Sequence, residues 1–114
     1  MEVYNIENDT ATINLTAGDD IDIAFSVDLN GSAYDMTSMR LDMTIKTLDE
    51  VTTIASFSTE GDTPAITIDE DILIIKADPL NVLGTFLHDL QVIDNTGAIM
   101  TILKGVINIT GQIT

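Results

Sequence analysis

Between Ile21 and Leu29 the apolar residues stand at every second position: Ile21, Ile23, Phe25, Val27 and Leu29. Asp22, Ala24, Ser26 and Asp28 fill the gaps, and Asn30-Gly31 follows at once. A period of two puts one set of side chains on each face of an extended chain, whereas a helix would scatter the same residues around its axis. The stretch therefore predicts a half-buried β-strand entering a tight hairpin, because Asn-Gly accepts the left-handed backbone that a two-residue turn requires.

The rest of the chain repeats this pattern. Ala11, Ile13 and Leu15 alternate within 10–16, and Ala17-Gly18-Asp19-Asp20 reads as a turn. Residues 32–34 form a short return. Leu41, Met43 and Ile45 alternate against Asp42, Thr44 and Lys46. Residues 52–58 are rich in β-branched and aromatic side chains, although Ile54 and Phe57 break the parity. A polar loop spans 59–64, and a short strand 65–68 runs into the acidic turn Asp69-Glu70-Asp71. The continuous apolar run over 72–76 reads as a central strand. Strands follow over 85–93, 98–103 and 105–109, with a hairpin turn at 94–97 and a bulge or bend at Lys104-Gly105. One segment departs from the pattern. Asp78-Pro79 has the residues of a helix cap and first turn, and Gly84 those of a helix end, so a short helical turn is expected near 79–83.

Eight or nine short strands at close spacing predict an all-β fold, an antiparallel immunoglobulin-like β-sandwich, with a jelly roll or small barrel as the alternative. At 114 residues the expectation is one domain over 1–114, with residues 1–9 as an N-terminal arm or edge strand. The 45% hydrophobic content is that of a chain with a core. No apolar run approaches the ~18 residues of a spanning helix. Met1-Glu2-Val3-Tyr4 lacks the basic and apolar regions of a secretory signal, so synthesis and folding in a cytoplasm are expected.

Charge narrows the partners. Nineteen Asp and Glu face only Arg40, Lys46, Lys76 and Lys104, giving a formal net charge of −15. Nucleic-acid binding needs clustered cations to neutralise phosphates, and anionic membranes need the same. Neither partner is expected. The absence of cysteine removes disulfides, thiolate metal sites and cysteine nucleophiles.

Candidates for chemistry are few. His88 is the only histidine, so any Ser-His-Asp arrangement would have to use it, and no Gly-x-Ser-x-Gly elbow presents a serine. One histidine without cysteine is a poor zinc set. Paired-carboxylate glycosidase sites are usually flanked by aromatic platforms, and this chain has no tryptophan. No catalytic residue, cofactor or enzyme activity is expected. The oxygen-rich turns Asp19, Asp20, Asp22 and Asp69, Glu70, Asp71 are candidate calcium ligands, although neither matches an EF-hand loop.

Several short signatures carry a resemblance. Thr16-Ala17-Gly18-Asp19 leads into an alternating strand. Tyr34-Asp35-Met36-Thr37 resembles a "Tyr-Asp-Leu-Thr" turn, with Arg40 to Ile45 as the strand after it. His88-Asp89-Leu90-Gln91-Val92 resembles a "Tyr-Asp-Leu-Gln-Val" strand, and Leu103-Lys104-Gly105 with Val106 to Thr110 a closing "Leu-x-Gly" strand. Together, over about 10–110, these are similar to the immunoglobulin-like domain of tailed-phage baseplate upper, fibre-attachment and head-fibre proteins. His88 stands where that family has an aromatic residue. The resemblance implies a virion structural protein made in the host bacterial cytoplasm: an exterior fibre, capsid-accessory or baseplate/tail adaptor subunit. It would act through contacts with copies of itself and with other virion proteins. Tyr4 and Ile6 of the arm, and Val106, Ile107 and Ile109 of the closing strand, are the expected contact residues. The alternative is a carbohydrate- or cell-surface-binding β-sandwich module, with calcium assisting.

Overall fold

The computed structural model describes residues 2–5 and 10–111. Ten strands run in chain order: β1 (Glu2–Asn5), β2 (Ala11–Thr16), β3 (Ile21–Leu29), β4 (Ser32–Ala33), β5 (Arg40–Lys46), β6 (Thr53–Ser58), β7 (Ile66–Asp69), β8 (Ile72–Ala77), β9 (Gly84–Ile93) and β10 (Ile99–Thr110). They form two sheets. The first has the order β1-β3-β8-β7, with β4 on the end of β3, and the second β2-β10-β9-β5-β6.

The alternating strand at 21–29 sits where its pattern puts it. Ile21, Phe25 and Val27 are buried and Asp22 and Ala24 exposed. Asn30 and Gly31 both have positive φ, 54° and 83°, as a primed hairpin turn requires. From the second sheet Leu41, Met43 and Ile45 face Phe86, Leu90 and Val92 along neighbouring strands, while Leu73 and Ile75 of β8 enter from the first. Each such side chain stabilises the fold by about 1.5–3 kcal/mol when fully buried. The outward residues of β5 between them, Asp42, Thr44 and Lys46, are polar, whereas β9 turns Leu87 and Ile93 outward as well as Asp89 and Gln91.

Most pairings are antiparallel, but two edge pairings are parallel: β1 with β3, and β2 with β10. Parallel neighbours must be distant in sequence or joined by a crossover. The first segments of the chain meet that condition, because each lies along a strand formed elsewhere.

Two expectations need correction. No helical turn forms at 79–83; residues 78–83 are an irregular connection between β8 and β9. Helix nucleation fixes several residues for a single hydrogen bond, and this short link must carry the chain from one sheet to the other, with Leu80 packed against the core. Second, 98–109 is not two strands. β10 is continuous, and its irregularity lies at Ile102, not at Lys104-Gly105, because the register with β9 skips between Thr101 and Leu103. The extra residue lets Ile102 and Leu103 both be buried in succession. The broken parity at Ile54 has the same cause: the pairing of β5 with β6 shifts between Ile45 and Lys46 and skips Ile54.

Candidate functional site

His88 lies on the inward face of β9, between Phe86 and Leu90, and only 4% of it is exposed. Its Nε2 donates to the carbonyl of Ala11 at 2.7 Å. A carbonyl only accepts, so Nε2 carries the hydrogen and the neutral ring presents Nδ1 as an acceptor. Nδ1 is buried and has no hydrogen-bond partner. Desolvation holds the ring's pKa below its usual 6.5, outweighing the Ala11 bond and the nearby charge of Asp89, which pull it up. Asp89 is the next residue along the strand and therefore projects from the opposite face of the sheet.

The Ala11 carbonyl reaches His88 because of Gly105. That residue lies between them in the sheet, opposite Ala11 on one side and His88 on the other. A β-carbon there would stand 2.0 Å from the Ala11 oxygen and 2.9 Å from its carbonyl carbon. The missing side chain is what allows the start of β2 to approach β10 so closely. His88, Gly105 and Ala11 thus make one junction that holds an edge strand in place.

The Tyr34-Asp35-Met36-Thr37 turn is likewise fastened. The Tyr34 amide donates to the Val27 carbonyl and the Met36 amide to that of Glu70, while the Met36 side chain is fully buried. The Asp35 carboxylate accepts from the Thr37 amide at 2.9 Å and from its hydroxyl, and these bonds hold its pKa below 3.8. Asp94 serves its hairpin in the same way, accepting from Thr96 and Ala98.

The acidic turns are kept apart. Asp19 and Asp20 belong to the β2–β3 turn, and Asp22 lies near the start of β3 on its outer side. Glu70 and Asp71 form the β7–β8 hairpin beyond Asp69, beside the far end of β3. Among the described residues no three His, Asp or Glu side chains are gathered closely enough to hold a metal ion. Of the expected contact residues, Ile107 and Ile109 face the core and Val106 is half-buried on the outer face. Tyr4 belongs to β1, and Ile6 is outside the described residues.

One feature was not foreseen from sequence. An open cavity of about 690 Å³ lies on the outer face of the second sheet, lined by Thr44, Lys46, Leu87, Asp89, Lys104 and Val106, among others. Its floor is apolar and its walls are charged. The residues come from β5, β9 and β10, which are adjacent only after folding, so only their alternate spacing within each strand was visible beforehand.

No family model matches this chain, and no curated protein does. Two solved structures are similar in fold. CopC from Methylosinus trichosporium OB3b has 13% identity and a TM-score of 0.48, covering 92% of this chain and 89% of its own. The ZIG-8–RIG-5 IG1–IG1 heterodimer has 8% identity and a TM-score of 0.40, covering 89% of this chain and 82% of its own.

Proposed function

We propose that this protein is a non-enzymatic virion structural subunit of a tailed phage, an exterior fibre, capsid-accessory or baseplate/tail adaptor part that works through protein–protein contacts. The observation that carries the reading is the role of the signature residues. Tyr34 to Thr37 fasten a turn, His88 binds a backbone carbonyl, and Gly105 admits the close approach of a neighbouring edge strand. The residues behind the resemblance are those that build the scaffold, as a family related by architecture would require. Quantitative mass spectrometry of density-purified particles tests it. The protein should co-purify with capsid or tail proteins at a fixed multiple; recovery only in the soluble fraction would contradict the proposal.

The cavity favours a second reading, a carbohydrate- or cell-surface-binding module, since Leu87 and Val106 offer an apolar floor beneath hydrogen-bonding walls. Calorimetric titration with glycans, with and without calcium, should then give heat at sub-millimolar ligand. No heat would remove this reading.

A further inference from the structure

We infer that the outer face of the β2-β10-β9-β5-β6 sheet is where a second copy of this chain docks, about a two-fold axis running along the strands between β9 and β10. The inference deepens the contact-driven reading above and rests on it.

Charge selects the face. A copy bearing a net charge of −15 is repelled by most of its twin's surface. Three of the four cations, Arg40, Lys46 and Lys104, alternate outward on this one sheet, where Asp42 and Asp89 nearly balance them. The outer side of the other sheet carries Asp22, Asp28 and Asp69 against Lys76 alone. Among the described residues the one ion pair is Arg40–Asp42, at 3.1 Å. Lys104 and Asp89 are cross-strand neighbours without pairing.

Register supplies the self-complementarity. An axis along the strands between β9 and β10 sets each β9 residue against the copy of its own cross-strand neighbour. Ile93 then meets the partner copy's equivalent of Ile99, Asp89 that of Lys104, and Leu87 that of Val106, each twice by symmetry. Apolar meets apolar and anion meets cation in every one of these rows. Ile99, 64% exposed in the isolated chain, would be covered. The cavity would be filled from the other side.

The two strands that match along their length, β9 and β10, over about ten residues give roughly 300 Å² per copy, about 600 Å² in all, from ordinary sheet spacings. That is below the size of a permanent interface, so the dimer is weak and reversible.

Sedimentation velocity of the full chain over a concentration series tests the inference. The wild type should show a monomer–dimer equilibrium. Lys104→Glu and Asp89→Lys should each weaken it at least tenfold, and the Lys104→Glu/Asp89→Lys exchange should restore it to within about threefold. Should a reversal disturb the circular dichroism spectrum, Ile99→Glu takes its place and must weaken association at least fivefold. A wild type that stays monomeric, an oligomer indifferent to these changes, or an exchange that fails to restore would each overturn the inference. A monomer that still co-purifies with particles would sink this face and leave the virion reading standing; a dimer absent from particles would do the reverse.

Discussion

His88 looks like the chain's most reactive residue and is among its most confined. The folded ring stays neutral because burial penalises its charge and Nδ1 faces no acceptor for a second proton. The unfolded chain's histidine takes up that proton near pH 6.5. The site's contribution to stability is therefore full above that pH and declines as pH falls from 6.5 toward the lower folded value. His88→Gln can keep a donor for Ala11 but cannot titrate, so its unfolding free energy should be flat between pH 8 and 5 while that of the wild type falls. Urea titrations at pH 5, 6, 7 and 8 would measure both; parallel curves would contradict the account. The lowered carboxylates Asp35, Asp49 and Asp94 act in a separate window, below about pH 3.8, where stability is lost as pH falls. The bond that fixes the ring was not legible in the sequence. His88 bonds to a main-chain oxygen 77 positions away, and a carbonyl leaves no mark in the residue string.

At the scale of elements, what the sequence made legible followed from local rules. Strict alternation placed β2, β3 and β5, and Asn30-Gly31 marked the hairpin after β3. What it hid came from neighbours. Gly105 suggested a bend, yet β10 runs through it without interruption, and the glycine is needed because the start of β2 comes close beside it. The bulge at Ile102 was visible only as two adjacent apolar residues in an alternating run. The cap at Asp78-Pro79 was real as a pattern and lost to the need to span two sheets. Gly105→Ala must therefore cost more than a backbone-entropy change: about 2–4 kcal/mol, because backbone atoms of Ala11 have to move. Gly111→Ala, which meets nothing within 4 Å, should stay within about 0.5 kcal/mol of wild type. Denaturant midpoints of the two variants give the comparison, and equal costs would mean that the Ala11 backbone does not press on Gly105.

Over the whole molecule, the one histidine is bound into the scaffold, and three of the four cations lie on one sheet, a division that depends on which strands become neighbours and so could not be read from the total of −15. The central claim is that the ring of His88 is committed to the fold. Long-range proton–nitrogen NMR of the ring across pH 8 to 4 tests it directly. The account predicts a single Nε2–H tautomer that takes up its second proton below pH 6.5. A ring that samples both tautomers and titrates near 6.5 would place His88 in contact with solvent and contradict it.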